Sequence, residues 1–253
     1  MAMFIFQQLQ QDYDRRFLSA GGHGLVVNMD DLPADQATKA ARALAHVIKA
    51  AKAEQALSGI EDIIPGLTNL LVQYNPLVTT AATLKQSIRP MLAELSDDVG
   101  AVRHIRMPCC YGGEFGPDLD ELANTLGMSA DDIIAKHQAN TLEVAIMGFL
   151  PGLAYMKGVD EALYLPRRKT PRARVPALSV AIAMDQTVIY PLPSPGGWHI
   201  IGRIPVELFD ANKEEPVLLK SGDKVTFYPI DINEYNKIKS DYKSGRFLIE
   251  IST

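Results

Sequence analysis

The sequence predicts an α+β protein made of a small N-terminal α/β sandwich domain and a barrel-like β domain. Two observations carry this prediction. Strand and helix periodicities alternate in the first part of the chain, whereas after Leu142 short β segments with frequent Gly and Pro turns and little helical periodicity follow. A last helix over 232–245 and a strand over 246–253 complete the pattern. With 253 residues available, we place the domains at 1–95 and 96–253.

The N-terminal domain begins with a strand at Gly24–Asn28, and the Ala-rich segment after it predicts one long helix that packs through small residues. Two strands follow, separated by a turn at Pro65–Gly66. A second helix over 80–95 is expected to kink or break at Pro90. With a strand over 101–111, this order suggests an α+β sandwich that resembles a split βαβ unit.

A pair of helices precedes the β-rich part of the chain. Asp118 with Glu121, and Ser129 with Asp132, have the spacing of capping boxes, in which each side chain serves the other's backbone N–H. Gly127 is a typical end for the first helix. The sequence therefore predicts two short helices separated by a tight turn.

Composition excludes several classes of protein. The net charge of −5 gives no basic field for nucleic acid or an anionic membrane, and no apolar run is long enough to span a membrane. The first residues place no positive charge before their apolar patch, so we expect no secretory signal. The two cysteines, Cys109 and Cys110, are adjacent, which is typical of reduced thiols in a cytoplasmic protein and provides no metal framework.

Familiar catalytic signatures are missing from the sequence. It contains no GxxxxGK[ST] phosphate loop, no HExxH and no GxSxG. The segment Met156-Lys157-Gly158 has only half of a biotin-carrying lysine site, so we expect no biotin attachment. The candidate sites must therefore come from dense local segments of Gly, Arg and acidic residues.

The segment "YGGEFGPD" surrounds Glu114 with three glycines, and paired glycines let backbone amides face a ligand closely. Glu114 and Asp118 are candidate acids or bases, or groups that orient an amide. The alternative is that the glycines form a turn and Asp118 caps the next helix. Both interpretations stay open for Asp118, because a helix cap can also lie beside a site.

Three further segments supply candidate walls and cations. "GFLPG" predicts a tight corner or a pocket wall, and the prolines in "LPRRKTPRARVP" would hold Arg167 and Arg172 in place to grip a carboxylate or phosphate. The alternative for these arginines is a solvated basic loop. "SPGGWHIIGRIP" contains the single tryptophan, Trp198, as a cleft wall or a core plug, and Arg203 as a fixed donor.

These motifs together resemble a known family. "YGGEFGPDLDELA", His137, "GFLPGLAYM", "PRxxxPRxxVP", "IYP", "SPGGWHIIGR" and "GDKVxF" occur in its order. The resemblance is to the B subunit of the prokaryotic ATP-dependent 5-oxoprolinase, a family also described as allophanate hydrolase subunit 1, carboxyltransferase subdomain C/D and the sporulation kinase inhibitor Kip. It implies a cyclophilin-like β-barrel for the C-terminal domain.

The resemblance also implies an activity and partners. The reaction would be the ATP-driven opening of the 5-oxoproline lactam to glutamate, with ATP shared among subunits. A subunit homologous to allophanate hydrolase subunit 2 and a third oxoprolinase subunit would complete the enzyme, and the isolated chain would be inactive. The alternative is a regulatory protein that inhibits a sensor histidine kinase. A free-standing peptidyl-prolyl isomerase rests on fold analogy alone.

The resemblance carries over two sets of site residues. We assign Arg172 and Arg203 to anion binding, and Glu114 or Asp118 to proton transfer or orientation. Trp198 and Phe149 are assigned to the walls of a cleft. His137 matches a family histidine that either acts in catalysis or hydrogen-bonds across the domain. The candidate catalytic set is Glu114, Asp118, His137, Arg172 and Arg203. The candidate substrate-binding set is Tyr111, Gly112, Gly113, Phe149, Pro151, Gly152, Arg167, Pro195, Gly196, Gly197 and Trp198.

Four residues depart from the family pattern. Leu178, Met184 and Val188 stand where the family has glycine, and Ile204 replaces a hydroxyl residue. Larger side chains at glycine positions would obstruct a close ligand or shift a turn. A member with these changes is expected to keep the scaffold and to differ in its site.

Overall fold

The computed structural model describes Leu9, residues 13–93, Leu95 and residues 102–253. The chain divides into two compact units, Met1–Ala101 and Val102–Thr253. The predicted domain boundary, directly after residue 95, lies outside the described residues. Most of the first residues, in which we expect no secretory signal, also lie outside them.

The first unit is a four-stranded antiparallel sheet with helices. Its elements are α1 Tyr13–Arg16, β1 Phe17–Ala20, β2 Gly24–Asn28, α2 Ala34–Ala53, β3 Ile60–Pro65, β4 Asn69–Tyr74 and α3 Ala81–Ala93. The strand order is β1-β2-β4-β3. Because β4 is antiparallel to both β2 and β3, these two strands run in the same direction with β4 between them. The predicted split βαβ arrangement, β2–α2–β3, is therefore confirmed.

Small residues let α2 approach the sheet closely. Ala37, Ala40, Ala41, Leu44 and Ile48 share one helix face and are fully buried in the core of this unit. Helix α3 runs through Pro90 without a break, so the predicted interruption is wrong. Three apolar side chains one turn apart hold α3 to the core: Leu84, Ile88 and Leu92.

The second unit contains most of the strands of the described chain. Its strands are β5 His104–Tyr111, β6 Leu142–Met147, β7 Ala154–Lys157, β8 Arg172–Val175, β9 Ser179–Ala183, β10 Gln186–Ile189, β11 Ser194–Gly196, β12 His199–Arg203, β13 Lys224–Pro229 and β14 Glu250–Ser252. Its helices are α4 Leu119–Leu126, α5 Ala130–Ala139 and α6 Ile232–Lys243, with a 3₁₀ turn at Glu161–Leu163.

Seven of these strands close into a barrel. Within residues 102–253 the order is β12-β9-β10-β7-β6-β13-β5, and β5 returns to β12 through the pairs Gly202–Tyr111 and Arg203–Cys110. Strand β14 lies beside β5, and β8 and β11 form a separate two-stranded ribbon. The α+β class and the barrel are confirmed, and β5 belongs to the barrel unit and not to the first sheet.

Several smaller features of the chain bear on the sequence predictions. Ser129 and Asp132 form the predicted capping box at α5, and Gly127 ends α4 with φ +66°. Cys109 and Cys110 are free thiols and both are buried. No helix among the residues that the structure describes has the length and apolar character that a membrane crossing requires.

Candidate functional site

A cleft lies on the outer face of the barrel. Its volume is about 180 Å³, and a cavity of about 150 Å³ is known to accommodate benzene, so the space suits a ligand of one small ring. The lining residues are Phe149, Leu153, Tyr155, Arg167, Val188, Tyr190, Pro195, Gly196, Gly197 and Trp198. Six of them belong to the predicted substrate-binding set: Phe149, Arg167, Pro195, Gly196, Gly197 and Trp198.

Strand alternation explains why the cleft is outside the barrel. Along β10 and the residue that follows it, Thr187 and Ile189 point to one side and Val188 and Tyr190 to the other, as the period of two in a strand requires. Ile189 packs with the apolar side chains that fill the barrel, whereas Val188 and Tyr190 pack with Trp198 in a separate small cluster. The same strand therefore contributes to the barrel core with one face and to the cleft with the other.

Aromatic rings and one cation define the chemistry of the cleft. The Cζ atom of Arg167 lies 5.4 Å from the centre of the Trp198 ring, and the ring of Tyr155 lies 6.0 Å from the same indole. Trp198 is buried and also lines the cleft, so both interpretations of the single tryptophan hold. No carboxylate is among the lining residues given above, which favours a ligand that carries negative charge.

Tyr190 adds a hydroxyl that stays protonated at neutral pH. Burial raises its pKa to about 12, with the neighbouring Tyr155 acting in the same direction and Arg167 in the opposite one. Its hydroxyl is therefore a hydrogen-bond donor beside the Arg167 guanidinium. Sequence reasoning missed Tyr190 and Tyr155, although "IYP" and "LAY" both lie in motifs that were singled out.

Two backbone positions shape the entrance of the cleft. A Cβ atom at Gly196 would overlap the Tyr190 Oη atom, so only glycine leaves room for that hydroxyl. Phe149 has φ +70° and is 65% exposed at the rim. A bulky residue rarely adopts this left-handed conformation, and such strain is often found at ligand sites.

Asp118 does not cap α4 with its side chain, so the predicted Asp118–Glu121 capping box is wrong. Its buried carboxylate accepts two hydrogen bonds from Arg172, at 2.9 and 2.5 Å. It also accepts one from Arg168 at 3.0 Å and one from the backbone N–H of Ile200 at 2.7 Å. These charge-assisted bonds take precedence over the cap because a buried carboxylate requires compensating donors.

The Asp118 bonds position the cleft wall. Arg168 follows the cleft cation Arg167 directly, and its backbone N–H donates to the Gly197 carbonyl at 2.7 Å. Asp118 thereby joins the loop that carries Arg167 to the strand that follows Trp198. Both guanidinium NH groups of Arg172 contact Asp118. Of the two candidate arginines, Arg167 is therefore the one that lines the cleft.

His137 and Tyr111 contact each other and are not among the residues that line the cleft. His137 is 1% exposed; its Nδ1 atom is 2.8 Å from the Tyr111 hydroxyl and its Nε2 atom is 3.1 Å from the Thr187 hydroxyl. Burial lowers the pKa of His137 to about 3, so the ring is neutral at physiological pH. This geometry favours the hydrogen-bonding interpretation of His137 over the catalytic one.

The glycine-rich turn docks on β12 and leaves its acid exposed. Gly112 and Gly113 have φ of +70° and +52°, and a Cβ at Gly116 would collide with the Ile201 backbone. These glycines are therefore required by the turn, as the structural alternative expected. Glu114 is exposed at the turn, and Arg203 packs over Phe115, apart from the residues that line the cleft.

The remaining predicted residues and the four departures have separate environments. Pro151 and Gly152 follow Phe149; Gly152 has φ +83°, and a Cβ there would lie 3.1 Å from the Leu208 carbonyl oxygen. Leu178 and Met184 have φ of +65° and +55°, the left-handed conformation in which glycine is favoured. Val188 narrows the cleft, whereas Ile204 is buried in the barrel core.

Groups of three or more His, Cys, Asp or Glu side chains that could hold a metal ion do not occur among the described residues. The polar groups that the lining residues offer are the Arg167 guanidinium, the two tyrosine hydroxyls, the Trp198 indole N–H and backbone groups. This arrangement can bind and orient a small anion, and it supplies donors without a carboxylate base.

Comparison with known proteins identifies the family. Residues 15–219 match the family model described as "Carboxyltransferase domain, subdomain C and D". The chain is 35% identical over 209 residues to the 5-oxoprolinase B subunit of Bacillus subtilis, covering 78% of this chain and 87% of the relative. It is 40% identical over 173 residues to the protein of the same name from Haemophilus influenzae, covering 68% of this chain and 81% of that one.

A solved structure agrees with the fold. The crystal structure of TTHA0988 superposes with a TM-score of 0.71 at 36% identity, covering 82% of this chain and 40% of that protein. The chain thus corresponds to about two fifths of that longer protein. The predicted resemblance is confirmed, and the chain belongs to the carboxyltransferase subdomain C and D family, with 5-oxoprolinase B subunits as relatives that it matches over most of their length.

Proposed function

We propose that this chain is a subunit of an ATP-dependent 5-oxoprolinase and that its cleft holds the lactam substrate. The observation that supports this most is the cleft itself, in which a single cation, Arg167, lies over the indole of Trp198 with no lining carboxylate. The 5-oxoproline molecule is one small ring that carries one carboxylate. The relatives named as 5-oxoprolinase B subunits direct the choice to this substrate.

In the proposed complex, the substrate carboxylate pairs with Arg167 and the flat ring lies on Trp198. The Tyr190 hydroxyl donates a hydrogen bond to an oxygen of the ligand, because its raised pKa keeps it protonated. Asp118 is a positioning residue here, since it acts through Arg168 on the wall of the cleft. Val188 limits the size of the ring that enters.

The proposed reaction consumes one ATP and two waters. The lactam oxygen attacks the γ-phosphorus of ATP and ADP leaves, which makes the ring carbon electrophilic. Water adds to that carbon and the C–N bond breaks with proton transfer to nitrogen, giving glutamyl phosphate. A second water hydrolyses the acyl phosphate to glutamate and inorganic phosphate. We place ATP on a partner subunit, because a space of about 180 Å³ with one cation does not fit a triphosphate nucleotide.

Partner subunits are part of the proposal. A homologue of allophanate hydrolase subunit 2 and a third oxoprolinase subunit would supply the ATP site and the groups that the cleft lacks. TTHA0988, of which this chain covers 40%, supports this view because a similar unit occurs there together with further sequence in one polypeptide.

The test is to co-express the chain with its candidate partner subunits and to measure 5-oxoproline-dependent release of ADP together with glutamate. We expect turnover by the complex and none by the isolated chain. Arg167→Met should raise KM for 5-oxoproline by about 10- to 100-fold, the loss of one charge-assisted hydrogen bond. Arg174→Met, at an exposed arginine of the same segment, is the matched control and should leave KM unchanged.

A stable complex that hydrolyses no ATP in the presence of 5-oxoproline would refute the proposed activity. If such a complex, or the chain alone, blocked autophosphorylation of a sensor histidine kinase, the regulatory alternative would replace it. An Arg167→Met complex with unchanged KM would reject the cleft as the substrate site while leaving the activity in place.

A further inference from the structure

Arg203 is a half-buried cation that has no anionic partner in the part of the chain that the structure describes. Its guanidinium takes part in no ion pair or hydrogen bond there, and its Nε atom is buried without an acceptor. A buried N–H group without an acceptor costs free energy, and more so when the group is charged. An anion from outside the described residues would remove this cost.

Three segments fix the position of this arginine. Its backbone ends β12 and pairs with Cys110 of β5, and a Cβ at the neighbouring Gly202 would lie only 2.6 Å from the Cys109 Sγ atom. The Arg203 Cζ atom lies 5.0 Å from the centre of the Phe115 ring. Phe115 in turn stacks on Tyr235 of α6, with ring centres 4.5 Å apart. The guanidinium is therefore held in place before any ligand arrives.

The charges around this position set the kind of anion that fits. Burial raises the pKa of Tyr235. The charge of Arg203 lowers this pKa and the charge of Glu114 raises it, so both charged groups act on this hydroxyl. Lys239 of α6 lies over the Tyr235 ring, and Asp231 accepts the N–H of Glu234 as the cap of α6. With Glu114 close by, a triphosphate would be repelled, whereas a single negative charge would be balanced by Arg203.

We propose that Arg203, Phe115 and Tyr235 form a second binding site, apart from the cleft, that takes one carboxylate group, with Glu114 as a like charge at its edge. The carboxylate pairs with the guanidinium, and the Phe115 ring supports the flat face of that pair. The carboxylate is carried either by a small molecule or by an acidic side chain of a partner protein. The proposal does not depend on the proposed function, because it uses none of the residues that line the cleft.

The first test observes the arginine directly. In the full chain labelled with ¹⁵N, the Nε–Hε signal of Arg203 is identified by its loss in Arg203→Lys. Titration with acetate at constant ionic strength should shift this signal to saturation, with a Kd in the millimolar range, while the signal of Arg106 stays unchanged. Arg106 is the matched control because it also lies over a ring, at 5.1 Å from Tyr228, but already pairs with Glu250. Glu114→Gln should tighten acetate binding by removing a like charge.

A second arm separates the two sources of the carboxylate. If a partner protein supplies it, the Arg203 signal should shift when the candidate partner subunits are added without acetate, and acetate should then have no further effect. If a small molecule supplies it, the signal should remain sensitive to acetate in the complex. No response of the Arg203 signal in either arm, or an equal response to chloride, would overturn the proposal.

A stability measurement guards against a variant that merely unfolds. Arg203→Met replaces an unpaired charge with an apolar side chain of similar length, so its Tm without acetate should be equal to or above that of the wild type. Acetate should raise the Tm of the wild type and of Arg106→Met, but not that of Arg203→Met. A clear fall in the Tm of Arg203→Met, with the acetate effect retained, would show that Arg203 only packs against Phe115.

Discussion

Replacing Asp118 with alanine tests whether one carboxylate holds the cleft wall in place. In the structure its side chain is 2% exposed and accepts bonds from Arg168 and Arg172, whose side chains are 24% and 27% exposed. The change leaves the partly buried Arg172 guanidinium without its carboxylate and the N–H of Ile200 without its acceptor, whereas Arg168 keeps its ion pair with Glu121. Breaking a buried pair from one side costs about 3–5 kcal/mol.

We therefore expect Asp118→Ala to lower the free energy of unfolding of the second unit by about 3–5 kcal/mol, or the Tm by about 6–20 °C. The assay is urea unfolding followed by tryptophan emission. Trp198 is the only tryptophan and is buried in the second unit, so its emission reports the unfolding of that unit alone.

The matched control is Glu250→Ala, which removes an ion pair whose side chains are 55% and 63% exposed. We expect that change to cost less than about 1 kcal/mol, because water solvates both groups. A double-mutant cycle of Asp118→Ala with Arg172→Ala should give a coupling energy above about 1.5 kcal/mol. A loss below about 1 kcal/mol for Asp118→Ala, or independent effects in the cycle, would refute the role of Asp118 as the central acceptor.

Three further predictions concern conformation and pH. Met184→Gly should raise the free energy of unfolding by about 0.5–1 kcal/mol in urea, since Met184 has φ +55° and is 42% exposed. Asp185→Gly is the control. A lower urea midpoint for Met184→Gly would contradict the backbone strain at Met184. Gly196→Ala should cost about 1–3 kcal/mol and shift Trp198 emission because its Cβ overlaps Tyr190, whereas Gly197→Ala, with its nearest contact at 3.6 Å, should be tolerated; equal effects would argue against the overlap. The pKa of His137 falls from 6.5 to about 3 on folding, so between these pH values the unfolded chain binds one more proton than the folded chain. This group should therefore lower the free energy of unfolding by about 1.4 kcal/mol for each pH unit below pH 6.5. His137→Gln should flatten the profile and His104→Gln should not.

Periodicity predicted the elements of the fold well because burial and sequence agree in them. The Ala-rich helix, the helical pair with its Ser129 cap and the split βαβ order are all confirmed. The continuity of α3 through Pro90 was not predictable from the proline alone, because the side chains on either side of it still pack on the core. Tertiary packing there outweighs the lost backbone hydrogen bond.

The sequence predicted many of the residues of the cleft, but not which candidate residues lie together and which lie apart. The glycine, proline and aromatic segments were expected to meet; six of their residues line one cleft, whereas the glycine-rich turn at 112–116 lies elsewhere. The pairing of Asp118 with Arg172 joins residues 54 positions apart, and the sequence contains no local signal for it. The burial of His137 likewise depends on its contacts with Tyr111, Thr187 and Phe227 of three strands, which spacing along the chain does not reveal.

The two faces of β10 have a consequence for how this protein can diverge. Ile189 packs with the side chains that fill the barrel, whereas Val188 touches the space in which a ligand would sit. Mutations on the outward side of such a strand can alter what is recognised without disturbing the framework that makes folding possible. Substitutions at residues such as Val188 and Phe149 can therefore change the ligand that is bound during evolution, while the barrel beneath them stays the same.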